Sequence, residues 1–453
     1  MKTIAKIYAV TAIFLLFGCK SAPAEIEPEP LVTAENTAET PVINAAEPEI
    51  SVQDKAETII ESKITDCFAG TSNIFILPSD GTFWSAGYNH SGQLGLDGIT
   101  AQDGETQSAS VIWDISQVYV NGEEFPKIVS VAPGENHTVI LKEDGSLWGV
   151  GESIYGELGR FGTTGIGKVP AFTRLKNLSN AEIDNARAVA AGYNNTFFID
   201  TENSLWATGF NYYGELGLGN NDNCPGFSQV PGAGSGGVKA IAAGARHSVI
   251  LKDDGTVWVS GYNFNGQLGL GDSGDVSSFT QVKDIDSASD VAAGNYHTVI
   301  LKSDGTVWTS GANYSCQLGH DGEGQRSFTQ VKDSEGNPVN DAAAVAARGD
   351  LTVIWKKDGT LLMAGSYEEP EYDYQSGPPD PQEGEPESAL VLLQPADGSS
   401  FGNIAKVVLG SRSIYVLTED GRIWAAGSNW YGQLIMQRDV KESAVLKWIF
   451  PKL

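Results

Sequence analysis

His137, His247 and His297 stand in the segments ENHTVILK, ARHSVILK and NYHTVILK, one histidine at the same place in three near-copies of a single motif. An imidazole can serve as a base or a metal ligand. Repetition at one position instead fits a structural hydrogen bond within each unit's own sheet, because a buried polar ring needs a local partner. The run Gly232-Ala233-Gly234-Ser235-Gly236-Gly237 has the spacing of a phosphate-cradling loop, but it lacks the strand before and the helix after that would aim N–H groups at a phosphate. It reads as a flexible connection. Gly271-Asp272-Ser273-Gly274 has the outline of a serine nucleophile without the histidine and aspartate that would activate it. The chain contains no H-E-x-x-H, no C-x-x-C and no complete calcium loop, so neither metal nor cofactor nor catalytic centre is expected; acidic loops such as 220–223 would hold an ion only weakly. Arg348-Gly349-Asp350 matches an adhesion tripeptide, but three residues carry little information and chance is the better account.

The elements that hold these residues repeat. VAAGNYHTVILKSDGTVWTSGANYSCQLG from Val291 and IAAGARHSVILKDDGTVWVSGYNFNGQLG from Ile241 are near copies, and related stretches begin at Cys67, Val131 and Val189. Two weaker copies begin at Val345 and Val407, which makes seven. The landmark residues Trp84, Trp148, Trp206, Trp258, Trp308, Leu362 and Trp424 lie 64, 58, 52, 50, 54 and 62 residues apart. Each unit alternates apolar and polar residues through an HTVILK segment, turns at Asp-Gly and continues through a TVW segment, the pattern of a β-hairpin. The Gly-x-Asn-x-x-Gly-Gln-Leu-Gly that follows, as at Gly261–Gly269, collects residues that tolerate unusual backbone angles and reads as a tight loop. The repeated tryptophans read as packing residues.

This repeat resembles that of the regulator of chromosome condensation family over roughly residues 64–453. The resemblance implies an all-β fold, a seven-bladed β-propeller, with little exposed strand edge. The sixth unit departs from the pattern. It lacks the Trp and the GQLG segment and carries an acidic, Pro-rich insertion at about 366–400, so an irregular sixth blade is expected. A strand-like FTQVKD precedes internal units but not the first, and AVLKWIF at 444–450 is left over after the last; this suggests that the C-terminal strand completes the first blade and closes the ring. A plant photoreceptor of this fold absorbs light through Trp residues in the loop before the His. No Trp stands there in this chain, which argues against photochemistry.

The N-terminal 1–18 has the form of a secretory signal, with Lys2 and Lys6 ahead of the apolar run 7–17. Leu16-Phe17-Gly18-Cys19 is similar to the lipobox of bacterial lipoproteins, with Phe17 bulkier than usual, and implies lipidation at Cys19. Acyl chains would hold the protein on a membrane without a transmembrane helix. Residues 19–61 are rich in Pro, Ala and Glu and read as a disordered acidic tether, leaving 62–453 for the propeller. The expected address is the bacterial cell envelope, at the outer membrane or cell surface. A formal charge of −28 disfavours nucleic acid as a partner. Cys67, Cys224 and Cys316 form no pairing pattern, so no disulfide framework is implied.

What varies between units at a shared surface position is where specificity can reside. Strand parity places the Gly-x-x-His loops and the Asn-x-x-Gly loops on one face, opposite the Asp-Gly turns. The first set offers Glu135, Asn136, Tyr193, Asn194, Arg246, Tyr296, Asp350 and Arg412. The second offers Tyr88, His90, Tyr155, Tyr212, Tyr213, Phe264, Tyr314, Trp430 and Tyr431. Aromatic and Arg side chains on a rigid rim have the make-up of binding hot spots. The expected function is a non-enzymatic scaffold that binds a protein of the envelope or the cell exterior through this face. Binding or hydrolysis of an extracellular polysaccharide, and a purely structural lipoprotein, are the alternatives.

Overall fold

The computed structural model describes residues 62–96, 111–120, 123–125, 127–160, 167–233, 236–272, 274–366, 390–436 and 440–450. The expected signal, the expected lipidation site Cys19, the expected tether and the centre of the insertion lie outside the described residues.

Seven four-stranded antiparallel sheets follow one another along the chain, each built from four consecutive strands. Blade 4 is representative: Val238–Ala243, His247–Lys252, Val257–Gly261 and Val276–Gln281. The fold is therefore all-β and seven-bladed, as the repeat implied. The first strands of all seven blades touch their neighbours in a complete circle, that of blade 7 (Ile404–Gly410) meeting that of blade 1 (Ile64–Ala69).

The hairpin between the second and third strands is a three-residue loop. In blade 2 the N–H of Lys142 bonds the carbonyl of Ser146, and Gly145 sits at φ 77°, a conformation that only Gly adopts without strain. Asp144 Oδ1 accepts from both the N–H and the hydroxyl of Ser146, and the Ser146 hydroxyl accepts from Trp148 Nε1 at 3.1 Å. The same Asp-to-Thr-to-Trp relay recurs at Trp84, Trp258 and Trp308.

Blades pack face to face, and period-two alternation sends successive residues of one strand to opposite seams. Val139 and Leu141 join the core shared with blade 3, whereas Ile140 joins the core shared with blade 1. Both sides of the second strand are thus covered, and HTVILK is buried along nearly its whole length. Among the described residues there are seven apolar clusters, one for each pair of neighbouring blades.

Ring closure differs from the expectation. The C-terminal strand Glu442–Phe450 pairs with Ile423–Ser428 and is the outer strand of blade 7, not a member of blade 1. The FTQVKD-like segments are outer strands that follow their own hairpin, as Val276–Gln281 follows Val257–Gly261. Blade 1 therefore completes itself with Val111–Gln117. The ring closes by packing: Ile64, Cys67, Ile74 and Ile76 of blade 1 share a core with Tyr415, Leu417 and Ile423 of blade 7. Lys406 Nζ adds an ion pair to Asp66 at 2.6 Å and lies 3.9 Å from the Phe68 ring centroid. Blade 6 is complete, but its outer strand, Val391–Leu393, has only three residues. Cys67, Cys224 and Cys316 are free thiols, and burial pushes that of Cys67 up to about 12.

The histidines serve neighbouring blades rather than their own. His137 Nε2 lies 2.9 Å from Thr196 Oγ1 of blade 3, His247 3.0 Å from Thr298 of blade 5 and His297 2.9 Å from Thr352 of blade 6. The hydroxyls of Thr298 and Thr352 are already donated to the carbonyls of Gln267 and Gln317. Each can then only accept from the ring, so His247 and His297 carry their proton on Nε2. Between blades 3 and 4 the corresponding residues are Asn195 and Ser248, and Asn195 Oδ1 and Ser248 Oγ are both buried without a partner. Asn195→His combined with Ser248→Thr is expected to stabilise the ring by about 1–2 kcal/mol in urea unfolding. A neutral or destabilising result would show that this seam cannot seat the imidazole.

Candidate functional face

The loop after each third strand is held by its own sequence. Asn211 Oδ1 accepts the N–H of Leu216 at 2.9 Å, the Gly214 N–H bonds the Asn211 carbonyl, and Glu215 Oε2 accepts the N–H of Tyr213 at 2.9 Å. Asn89, Asn263, Asn313 and Asn429 make the same bond to the Leu five residues on, and Ser153 takes the role in blade 2. Asn-x-x-Gly-Gln/Glu-Leu-Gly is thus a self-bonded unit that presents the two residues after the Asn. In the 220–223 segment the Asn220 and Asp222 carbonyls are engaged by Asn211 Nδ2.

These loops and the first-to-second strand loops share one face. Around its centre the latter are joined by main-chain bonds: Glu135 N–H to the Tyr193 carbonyl, Asn295 N–H to that of Gly349, and Ser411 N–H to that of Thr71. Gly349 has φ 59°, and a Cβ there would lie 2.0 Å from the Ser411 carbonyl oxygen. Arg348 crosses the mouth from blade 6, its Nη2 donating to the carbonyls of Pro133 at 2.9 Å and Gly134 at 3.4 Å in blade 2. The Arg-Gly-Asp tripeptide is therefore a ring brace, and the adhesion reading loses its arginine. Glu135 and Tyr193 lie near that guanidinium, and burial, then repulsion from Glu152, holds the Glu135 carboxyl above its usual range.

Outside the mouth the expected residues separate into groups. Tyr155, Tyr212, Tyr213, Phe264 and Tyr296 belong to a continuous arc over blades 2 to 5 that also needs Phe210 and Tyr262. Tyr155 meets Phe210 edge-on at 5.0 Å, Tyr213 meets Tyr262 at 4.8 Å, and Tyr262 meets Tyr296 at 6.2 Å. The Arg246 guanidinium stacks 5.7 Å from Phe210 and 5.1 Å from Tyr213 at the centre of this arc. A second group bridges blades 7 and 1: Tyr88 contacts His90 and Tyr431, and Lys441 lies between Trp113 and Trp430. Tyr212, Phe264, Tyr314 and Trp430 stand out most, at 65, 68, 79 and 58% exposure. The Tyr314 hydroxyl donates to Asn265.

Other expected residues are occupied within the ring. Asn136 bonds Glu152, Asp350 accepts from Gln317, and the Tyr193 carbonyl accepts the N–H of Glu135 while burial raises its phenol. Asn194 and Arg412 are half-buried on the same loops. Phe210 and Tyr262 were missed by sequence reasoning, although they occupy the position of Tyr88, the residue between Gly and Asn; aligning the units on the Gly would have found them.

Sheet order and repeat together define a seven-bladed β-propeller. A model of the regulator of chromosome condensation (RCC1) repeat matches residues 186–215, 238–267 and 288–317, and a second RCC1 repeat model matches 202–251 and 254–301. The chain therefore carries RCC1 repeats, recognised in blades 3 to 5. The ultraviolet-B receptor of Arabidopsis thaliana is 28% identical over 221 residues, 49% of this chain and 46% of that protein. The regulator of chromosome condensation of Xenopus laevis is 26% identical over 245 residues, 53% and 56% of the two chains. The chain spans about half the length of these curated relatives. Among solved structures, human WBSCR16 superposes with TM-score 0.66 at 18% identity, covering 82% of this chain and 95% of that one. Prp20p from Saccharomyces cerevisiae, a structure described with its binding to Gsp1p and histones, gives 0.63 at 18%, covering 87% and 89%. At these identities the likeness is one of fold.

Proposed function

We propose that this chain is a lipid-anchored protein of the bacterial cell envelope whose propeller binds a protein partner on the face just described, without catalysis. The observation that carries the reading is the aromatic arc from Tyr155 to Tyr296 with Arg246 at its centre. Tyr and Arg on a rigid support dominate binding energy at interfaces. Loops braced by their own hydrogen bonds lose little further entropy when a partner docks. The binding of Gsp1p and histones by Prp20p supports a protein as the class of partner. The lipobox-like Leu16–Cys19 supports the anchor.

The test compares the full chain with a variant carrying Tyr212→Ala, Tyr213→Ala, Trp430→Ala and Tyr431→Ala as bait in envelope and culture extracts. One protein is expected with the intact bait and at least ~100-fold weaker retention by the variant, since hot-spot truncations cost about 2 kcal/mol or more each. Equal retention would remove this face, and retention of soluble polysaccharide alone would move the reading to glycan binding. Cys19→Ala is expected to shift the protein from the membrane to the soluble fraction, and an unchanged distribution would remove the anchor.

A further inference from the structure

Two blades depart from the loop motif at one position. Blades 1, 4, 5 and 7 carry Gln93, Gln267, Gln317 and Gln433, where blades 2 and 3 carry Glu157 and Glu215. Although Gln267 Nε2 of blade 4 is buried without a partner, in blades 1 and 5 the glutamine has two tasks. Its Oε1 accepts an N–H two residues back, from Ser91 and Ser315 at 2.9 Å. Its Nε2 reaches over the seam to the residue that precedes the next blade's second strand, Gln93 to Asn136 Oδ1 at 3.5 Å and Gln317 to Asp350 Oδ1 at 3.3 Å. Glu215 keeps the first bond, but its Oε1 is buried without a partner. The residue in the corresponding place over its seam is Arg246, whose guanidinium stacks instead on Phe210 and Tyr213.

We propose that Glu215 and Arg246 form a proton-controlled latch under the aromatic arc: neutral Glu215 leaves the guanidinium on the rings, and ionised Glu215 draws it off into a hydrogen-bonded pair. The latch rests on the arc being the binding face and adds its regulation. A protonated carboxyl has the shape of the glutamine amide and suits the site uncharged. A buried carboxylate with one oxygen unpaired is costly, and a guanidinium fork is its best available partner. From blade 4, Arg246 favours ionisation of Glu215 and Asp275 opposes it; from its own loop, the N–H groups of Tyr213 and Glu215 favour it. Facing Arg246 are the phenols of Tyr213 and Tyr262 and the Glu135 carboxylate, with the Tyr296 ring packed against Tyr262. Burial is the largest of the influences on Glu215 and pushes its carboxyl to about 7, so the latch turns over near neutrality. Glu157 is an internal control. It is buried in the same way with Oε1 unpaired, but the corresponding residue over its seam is the uncharged Asn194.

The test is a pH series of near-ultraviolet circular dichroism, which reports the tyrosine rings, on the full chain, Glu157→Gln and Glu215→Gln, with crystal structures of the full chain at about pH 5 and about pH 9, on either side of the transition. The full chain and Glu157→Gln are expected to show a transition near neutrality that Glu215→Gln lacks, with Arg246 on the rings in the acid structure and on Glu215 in the alkaline one. A transition that persists in Glu215→Gln, no transition in the full chain, or one Arg246 position at both pH values would each overturn the latch. Glutamine stands naturally at this position in four blades, so Glu215→Gln is expected to fold, as far-ultraviolet dichroism will report. Neither readout involves a partner, so failure of the latch and failure of the binding face are separate results.

Discussion

Leu446→Ala and Ile449→Ala are each expected to lower the free energy of unfolding by about 2–5 kcal/mol, although both lie within the last residues of the chain. Leu446 is 1% and Ile449 2% exposed. They sit on one strand but in different cores. Leu446 packs with Leu351, Val353 and Met363 of blade 6, and Ile449 with Ile64 and Cys67 of blade 1. The C-terminal strand therefore ties blade 7 to both neighbours: its ladder is with blade 7, and the Leu446 carbonyl also accepts the N–H of Ala396, just after the outer strand of blade 6. The two losses should nearly add, since the cavities fall in separate clusters. Lys447→Ala, on the exposed side of the same strand, should change stability by no more than about 0.5 kcal/mol. Urea unfolding of the wild type, the three single variants and the Leu446→Ala/Ile449→Ala double variant decides the matter; equally small effects in all variants would show that closure does not depend on this strand.

The second large effect concerns pH. Burial depresses His137 to about 3, His247 to about 4 and His297 to about 3, against an ordinary 6.5. The unfolded chain binds three protons that the folded ring refuses. Stability from these side chains is complete above about pH 6.5 and is lost as pH falls towards 4 and 3. Glu157 and Glu215 act in the opposite sense, since burial raises both from 4.5 to about 7. Their contribution is complete below about pH 4.5 and is lost as pH rises through 7. Between about 4.5 and 6.5 the histidines take up three protons on unfolding and the glutamates release two, which leaves a net uptake of about one. Asp290, also raised to about 7 but half-buried, offsets part of the rest.

The wild-type profile should accordingly be shallow in that window. Glu157→Gln with Glu215→Gln removes one side of the balance. The double variant should lose stability on acidification more steeply than wild type by about 3 kcal/mol per pH unit, two protons' worth. Above pH 7 it should be more stable by several kcal/mol, with about 7 as the ceiling for two full shifts. Urea unfolding over a pH series measures both. Parallel profiles for the two proteins would mean that these carboxyls titrate in the ordinary range.

The sequence disclosed more of the fold than of the face. Asp144, Gly145 and Trp148 interact within one turn, so the hairpin and its positive φ were legible, and seven copies set the number of blades. Strand parity put both loop sets on one side correctly. The candidate binding residues were read as one rim, but the rings gather into an arc over blades 2 to 5 and a separate group at the junction of blades 7 and 1. Asn136 and Asp350 look like free polar residues in a loop, but Gln93 and Gln317 from the neighbouring blades' loops bond them.

By itself, then, the sequence determined the local units, because Asn-to-Leu loop closure and Asp-Gly turns are bonds between residues a few positions apart. Only the tertiary structure decided what lies between units. His247 meets a threonine 51 residues on, Arg348 bonds a carbonyl 215 residues back, and Lys406 pairs with an aspartate 340 residues away. A repeat brings the same position to each seam, and the residues there and on the facing blade decide whether it locks, braces or is left with an unpaired polar atom.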